Sequence, residues 1–270
     1  MIENPRTPRR VFPTPDAIGE YLAPVLLDRI ELARIQGRRF LLGCPTGRTP
    51  RPIYGALGRQ LAKRKQDIAH LVLVMMDEYL VQGADGLSYA PADQPWSCHH
   101  FARNEIAAPL NSGLPESSRL REGAIWFPDP RDPGAYDIRI ADAGGIDFFI
   151  LASGASDGHV AFNPPGSERE TRTRIIELSA ETRRDNLATF PAFGTIDAVP
   201  RHGISVGIDT IARARNTAMI VWGASKRLTL DRIKAVELYD IDWPATVIHE
   251  CGRPQILSDA AAADPAEARK

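Results

Sequence analysis

The stretch GGIDFFILASGASDGHVAFNPPGS, residues 144–167, decides the fold that this sequence predicts. Its first half contains the apolar run Ile146–Leu151 between glycines, which is typical of a short strand buried on both faces of a parallel sheet. Its second half is a loop in which glycines alternate with Asp157, His159 and Asn163. Because open α/β sheets bind ligands beyond the carboxyl ends of their strands, we expect this loop to contribute to a site.

The loop also contains a pair of residues suited to proton transfer. Asp157 and His159 are two positions apart around a glycine, so a carboxylate can lie beside an imidazole. A plain turn with one hydrogen-bonded histidine fits the same residues. The loop alone leaves both interpretations open, although polar loop residues held by a scaffold often carry function.

Similar apolar runs elsewhere alternate with helical patterns. Phe40–Gly43, Leu71–Met76 and Thr217–Trp222 each read as a buried strand. A helix is predicted from the Thr14 cap to Gly37, with a kink or break at Pro24. This alternation predicts an α/β fold with a doubly wound, mostly parallel sheet that carries helices on both faces.

The domain organisation predicted from these elements is simple. Residues 1–259 are expected to form a single α/β catalytic domain with a loop-rich insertion around 81–133, of which 81–94 is a loop. Residues 260–270 (AAAADPAEARK) are expected to be a flexible tail.

Bulk properties exclude several classes of function. The chain has 270 residues with 33 basic and 34 acidic side chains, so no basic excess points to nucleic acid. The sequence has no apolar run of about 18 residues, so a membrane span is not expected. Residues 1–10 lack the apolar core of a secretory signal. Three widely spaced cysteines fit reduced thiols, so we expect a cytoplasmic protein.

A second candidate site follows the strand at Phe40–Gly43. The segment CPTGRTP, residues 44–50, joins this strand to a helix, so free backbone N–H groups and the helix dipole can hold an anion there. Glycine at 47 permits close approach, and the hydroxyls of Thr46 and Thr49 can donate. The spacing excludes a Walker motif, because no Gly-Lys-Ser/Thr follows. An ordinary strand-to-helix turn remains the alternative.

Charged residues mark two further junctions. Asp77 and Glu78 directly follow the strand at Leu71–Met76, and we expect Glu78 to be solvated. Lys226 lies at the start of a predicted helix, where the helix dipole disfavours a cation. A lysine at this position therefore favours an anion nearby.

His99 and His100 are predicted on one helix, where adjacent side chains point about 100° apart and form a poor metal chelate. His99 is a candidate to face the site.

Several blocks of this sequence resemble one enzyme family. DGHVAFNPPGS (157–167) resembles the DGH-x-AFNEPGS signature of glucosamine-6-phosphate deaminases, in the larger group that includes 6-phosphogluconolactonases. CPTGRTP resembles the PTGGTP loop by which that family holds the sugar phosphate, and MDEY (76–79) resembles another of its signatures. Arg183 in ETRRDN and Lys226 match family residues that grip the phosphate. The match recurs in order at five blocks from Leu41 to Lys226.

The resemblance implies a Rossmann-like fold of the phosphosugar deaminase type and a division of roles. Asp77 would be the general base on the second carbon of the sugar, and His159, oriented by Asp157, would open the ring. The implied phosphate-binding residues are Thr46, Gly47, Arg48, Thr49, Arg183 and Lys226. The resemblance requires no metal and no organic cofactor. The expected partner is a small-molecule sugar phosphate, with no nucleic acid and no membrane, and a homo-oligomer is allowed.

One departure keeps three functions open. The family glutamate after AFN is replaced by Pro164, which cannot take part in acid–base chemistry, and Arg48 replaces a glycine. The first function is isomerisation and deamination of an amino-sugar phosphate such as glucosamine 6-phosphate. The second is a 6-phosphogluconolactonase-like activity or an isomerase that does not deaminate. The third is a catalytically silent sensor of sugar phosphates.

Overall fold

The computed structural model describes residues 7–84 and 86–263, which contain two sheets and the helices that cover them. In chain order the strands are β1 (Arg9–Phe12), β2 (Phe40–Cys44), β3 (Leu71–Met75), β4 (Asp77–Gly83), β5 (Gly86–Tyr89), β6 (Ile125–Trp126), β7 (Phe148–Ala152), β8 (Arg174–Glu177), β9 (His202–Ser205), β10 (Thr217–Val221) and β11 (Pro254–Asp259). The helices are α1 (Pro15–Ile35), α2 (Arg51–Arg64), α3 (Cys98–Phe101), α4 (Ala108–Asn111), α5 (Gly134–Asp142), α6 (Ala180–Thr189), α7 (Ile208–Ala212) and α8 (Arg227–Lys234). A π-helical stretch, Ala102–Ala107, joins α3 to α4.

The larger sheet has seven parallel strands in the order β1-β11-β10-β7-β2-β3-β6. From β2 the chain passes to β3 and β6 on one side, and then returns to β7 on the other side. The sheet therefore changes direction between β2 and β7, where Gly43 lies opposite Phe149. A Cβ at Gly43 would overlap the Phe149 ring, so glycine permits this close approach. The loops that leave β2 and β7 diverge, and the crevice between them is where such folds bind ligands.

Side chains alternate between two hydrophobic clusters, one on each face of this sheet. Leu42, Leu73 and Phe148 face the cluster that includes α1 and α2. The intervening positions, such as Phe149 and Val74, face the cluster that includes α5, α7 and α8. Helices on both faces of a parallel sheet confirm the predicted doubly wound α/β fold.

A smaller antiparallel sheet, β5-β4-β9-β8, begins directly where β3 ends. Its strand β4 starts at Asp77, one residue after Met76, and pairs Asp77 with Ser205 of β9. The prediction of a loop at 81–94 is therefore wrong over its first part, because β4 and β5 form a hairpin there. The glycines Gly83 and Gly86, which pair next to the turn of the hairpin, favoured the prediction of a loop over that of two strands.

Individual helices match the prediction with one exception. The Thr14 hydroxyl caps α1 by accepting from the Ala17 N–H at 3.2 Å, as the sequence predicted. Of the kink or break expected at Pro24, the break is not found, because α1 continues to Ile35. Burial of Leu22, Leu26 and other α1 side chains offsets the cost of the missing backbone hydrogen bond.

The predicted flexible tail lies partly outside the described residues, which end at 263. Its first residues pack on the domain: Ala262 and Ala263 are buried, and the Ala262 N–H donates to Asp259 at 2.8 Å. Small apolar side chains at this point therefore extend the core. In the described part of the chain, no helix is long and apolar enough to cross a membrane.

Candidate active site

A cavity lies at the carboxyl ends of β2, β3, β7 and β10, at the crevice that the sheet order predicts. Its lining includes the loop that follows β2, the first residue of β4, the loop that follows β7, the start of the α8 segment and one face of α6. The sequence-predicted residues that line it are Thr46, Gly47, Arg48, Thr49, Asp77, His159 and Lys226. Segments far apart in sequence therefore meet around one cavity.

The predicted imidazole–carboxylate pair is present in the loop after β7. Nδ1 of His159 lies 2.7 Å from Oδ1 of Asp157, which also accepts from the backbone N–H of His159 at 3.1 Å. Burial raises the pKa of Asp157, but the hydrogen bonds and charge of His159 outweigh burial, so this pKa is lowered. Asp157 therefore stays ionised and orients the ring, which leaves Nε2 for chemistry in the cavity.

Gly154 permits this arrangement. A Cβ at residue 154 would overlap both the His159 ring nitrogen and the Asp157 carboxylate. The Gly154 N–H donates to the carbonyl of His159 at 2.8 Å, which closes the loop on itself. The glycine that follows β7 is thus required for space beside the pair.

Asp77 also lines the cavity, from the first position of β4. Asp77 is only 5% exposed, and this burial raises the pKa of its carboxyl to about 7. A hydrogen bond from Cys98 at 3.5 Å lowers this pKa, whereas the charge of Glu78 raises it. A buried carboxyl that titrates near neutral pH has the property required of a general base.

The expectation that Glu78 is solvated is wrong. Its side chain is fully buried and accepts hydrogen bonds from the hydroxyl of Ser97 and from the backbone N–H groups of Tyr79, Cys98 and His99, at 2.7–3.0 Å. Nδ1 of His99 also lies 2.6 Å from this carboxylate. The beginning of α3 therefore satisfies the charge, because its free N–H groups face Glu78.

His99 does not line the cavity. Its ring bonds Glu78 and stacks on Phe127 with centroids 3.6 Å apart. The prediction that His99 faces the site is therefore wrong. The histidine instead completes the buried network around Glu78.

The loop after β2 has the features of an anion site. Gly47 adopts a φ of +86°, a conformation that favours glycine. The loop is fixed at both ends, because Tyr54 donates to the Pro45 carbonyl at 2.8 Å and Trp222 donates to the Thr49 carbonyl at 2.9 Å. It leads into the N-terminus of α2, whose dipole attracts negative charge. Arg48 is exposed at this edge of the cavity.

Lys226 precedes α8 and extends into the cavity. Its ammonium donates to the carbonyl of Ser153 in the loop after β7. Burial lowers its pKa, Asp185 raises it, and Arg48 lowers it, so that the net direction is downward. A second cation thus lies on the side of the cavity where the β2 and β10 loops meet.

Arg183, like Asp157, is a sequence-predicted site residue that is not part of the cavity lining. Its guanidinium donates to the backbone carbonyls of Ile196 and Val199, which ties α6 to the following segment. Arg183 is absent from the described residues that line the cavity. In this structure the guanidinium donors are directed at protein carbonyls, and the phosphate contact of Arg183 stays a prediction.

The sequence analysis missed the polar face of α6. Asp185, Asn186 and Thr189 line the cavity, and Thr182 lies 3.4 Å from Nδ1 of His159. An oxygen of Asp185 accepts from the Ala155 N–H at 3.0 Å. Polar residues at 182, 185, 186 and 189 have the i, i+3, i+4, i+7 spacing of one helix face, a signal that could have found them.

One group of side chains has the donor types of a metal site. Ligand atoms of Asp157, His159 and Asp185 lie within 4.8 Å of one another. The oxygen of Asp157 and the nitrogen of His159 are already bonded to each other, and the Lys226 ammonium interacts with both carboxylates. The positive charge of Lys226 beside these carboxylates disfavours a further cation at this point.

Comparisons with known proteins agree with this geometry. The family model described as glucosamine-6-phosphate isomerases/6-phosphogluconolactonase matches residues 13–256. The chain is 36% identical over 224 residues to glucosamine-6-phosphate deaminase of Streptomyces avermitilis, covering 80% of this chain and 76% of that protein. It is 29% identical to the deaminase of Shouchella clausii, covering 92% and 93% of the two chains.

Solved structures share the fold. A monomeric glucosamine-6-phosphate deaminase has a TM-score of 0.79 at 24% identity, covering 97% of this chain and 100% of that one. The 6-phosphogluconolactonase of Trypanosoma cruzi has a TM-score of 0.67 at 18% identity, covering 96% of each chain. The resemblance predicted from the sequence motifs is thus confirmed, and this chain belongs to the family of glucosamine-6-phosphate isomerases and 6-phosphogluconolactonases.

Proposed function

We propose that this protein converts glucosamine 6-phosphate and water to a ketose 6-phosphate and ammonia. The observation that carries the proposal is that one cavity is lined both by the buried Asp77 carboxyl and by the His159 imidazole, which Asp157 orients. Burial raises the pKa of Asp77 to about 7. The relatives named as deaminases support the same substrate.

The phosphate would bind where the loop after β2 meets Lys226. The hydroxyls of Thr46 and Thr49 can donate, Gly47 allows close approach, and Lys226 and Arg48 supply positive charge. Contacts to this remote group position the reacting carbons, so that binding energy is used for orientation. Arg183 is a further phosphate-binding candidate, although its guanidinium is hydrogen-bonded to Ile196 and Val199 in this structure.

Ring opening would be carried out by His159. The ring holds its Nδ1 against Asp157, so Nε2 can move a proton between the ring oxygen and the anomeric hydroxyl. The ionised Asp157 stabilises the imidazolium that forms. The product of this step is the open-chain aldehyde.

Asp77 would act on the open chain. Its carboxylate takes the proton from carbon 2 and returns a proton to carbon 1, which converts the amino aldose to an iminium-type species at carbon 2. Water adds to this carbon, and ammonia leaves, so the carbonyl of the ketose is formed. Burial that raises the pKa of Asp77 makes the carboxylate a stronger base.

The test is ammonia release from glucosamine 6-phosphate by the wild-type protein and by Asp77→Asn. We expect wild-type turnover and a loss on the order of 10³-fold in the variant. Equal activity of the two proteins would remove Asp77 from the mechanism. Hydrolysis of 6-phosphogluconolactone that requires His159 and tolerates Asp77→Asn would instead establish a lactonase. Stabilisation by sugar phosphates without turnover of any of them would indicate a sensor.

We also propose a cytoplasmic protein that acts as one catalytic domain on a small molecule, without nucleic acid, with a homo-oligomer allowed. The near balance of 33 basic and 34 acidic residues supports the absence of a polyanionic partner. Sedimentation of the purified protein measures the oligomeric state directly.

A further inference from the structure

The thiol of Cys98 lies between two parts of the candidate site. Its sulfur is 3.5 Å from Oδ1 of Asp77 and 3.7 Å from the hydroxyl oxygen of Thr46. Cys98 is 1% exposed, so neither contact competes with bulk water. Within the described residues, Cys98 is the side chain whose hydrogen bond reaches the Asp77 carboxyl.

We propose that Cys98 is a positioning residue that donates its thiol proton to Asp77 and thereby links this carboxyl to Thr46 in the loop after β2. The proposal rests on the proposed function, in which Asp77 is the base and Thr46 contacts the phosphate.

The direction of the hydrogen bond follows from the protonation of the groups. Burial raises the pKa of the Cys98 thiol well above its usual range, so the sulfur keeps its proton. An ionised Asp77 can only accept, and the thiol has a single proton to donate. In the free protein, where no phosphate accepts it, the Thr46 hydroxyl proton can be donated to the sulfur, which directs the thiol proton toward Asp77.

The position of Cys98 is fixed by a separate network. Its backbone N–H donates to Glu78 at 3.0 Å, beside the N–H of His99 and the hydroxyl of Ser97. Because Glu78 follows Asp77 directly in β4, the same turn of α3 that satisfies Glu78 delivers the thiol to Asp77. The backbone of Cys98 is therefore held in place, and its thiol reaches Asp77 from this fixed position.

Other groups around Asp77 also influence the pKa of its carboxyl. The titratable or charged groups on the elements that pack on Asp77 or line the same cavity are Tyr54, Glu78, Tyr79, Cys98, His159, Asp185, Lys226 and Arg48. Glu78 opposes ionisation of Asp77, and burial does so more strongly. Within the described chain, the thiol is the contact that favours the ionised base.

Two substitutions separate this role from packing. Cys98→Ala removes the donor, and Cys98→Ser replaces the thiol with a stronger hydroxyl donor of similar size. We expect the acid limb of kcat/KM, near pH 7 in the wild type, to move up by about 0.5 pH in Cys98→Ala and to move down in Cys98→Ser. An acid limb at the same pH in all three proteins would overturn the proposal.

A measurement without substrate distinguishes this proposal from the proposed function. The carboxyl ¹³C resonance of Asp77, assigned by its loss in Asp77→Asn, reports the same titration in the wild type and both variants. Opposite shifts in the two variants would support the thiol contact even if glucosamine 6-phosphate released no ammonia. Identical titration curves would refute the contact whatever the activity. If Cys98→Ala does not fold, the comparison of the wild type with Cys98→Ser decides.

Discussion

Strand β4 begins with two adjacent carboxylates, one facing the cavity and one facing the core, and their surroundings differ sharply. Glu78 is fully buried but accepts hydrogen bonds from Ser97, Tyr79, Cys98 and His99. Asp77 is almost as buried, yet its one side-chain donor among the described residues is a thiol. Burial alone therefore does not make a carboxylate a base. A buried carboxylate with several hydrogen-bond donors stabilises the fold, whereas one with few donors remains able to accept a proton.

The largest effect is expected from removing the reactive member of this pair. Asp77→Asn should abolish most activity and also stabilise the protein at pH 8, because the wild type carries a buried ionised carboxyl there. The folded pKa of about 7 lies above the ordinary value of 3.8, so the folded protein binds more protons than the unfolded chain between these values. Stability of the wild type therefore falls as pH rises from about 4 to 7.

Chemical unfolding at pH 4 and pH 8 measures this prediction. The gain in unfolding free energy for Asp77→Asn should be at most about 4 kcal/mol at pH 8 and should shrink toward pH 4. A variant that is less stable than the wild type at pH 8 would show that Asp77 stabilises the fold. Asp77 and Glu78 would then not differ in their effect on stability.

Removing the satisfied member should have the opposite outcome. Glu78→Gln replaces an acceptor oxygen with an NH₂ group that faces backbone N–H donors at the start of α3, so hydrogen bonds are lost and donors are left unsatisfied. The unfolding free energy should fall by about 3 kcal/mol, measured by urea denaturation. Glu31→Gln, at an exposed ion pair with Arg34, is the matched control and should change stability by less than about 0.5 kcal/mol. A loss no larger than that of the control would contradict the role of Glu78.

The imidazole across the cavity tests whether Asp77 acts alone. Gly154→Ala would place a methyl group against both His159 and Asp157 while leaving Asp77 untouched. We expect kcat to fall on the order of 10²-fold, because proton transfer requires the oriented ring. Gly123→Ala, where an added Cβ would meet open space, controls for the change from glycine to alanine. Full activity of Gly154→Ala would show that the precise placement of His159 is unimportant.

The sequence predicted the sheet, the strand ends and most of the cavity because these depend on local patterns. Apolar runs at Leu71–Met76 and Ile146–Leu151 specify buried strands, and parallel strands bring their carboxyl ends to one edge. Glu78 could not be placed in this way, because its partners come from Ser97 and His99, which follow it by about 20 residues.

Arg183 and Asp185 show a different limit of the same reasoning. Both belong to α6, and only the rotation of that helix decides which side chain faces the cavity. The motif drew attention to the arginine, but the donors of Arg183 face the carbonyls of Ile196 and Val199, whereas Asp185 faces the loop after β7. The spacing of polar residues on α6 contained this information about the cavity lining.

Asp185 gives the smallest expected effect, and it extends the comparison to a third carboxylate. One oxygen of Asp185 accepts from the Ala155 N–H, and its charge interacts with the nearby Lys226 ammonium. Asp185→Asn removes a negative charge from the cavity, so inorganic phosphate should bind about fivefold more tightly at low salt, measured by calorimetry. Asp242→Asn, which removes the same charge from an exposed residue outside the cavity, should leave the affinity unchanged. Weaker phosphate binding by Asp185→Asn would instead mean that Asp185 is needed to keep Lys226 protonated, and this carboxylate would then belong with Glu78 as a structural partner rather than with Asp77.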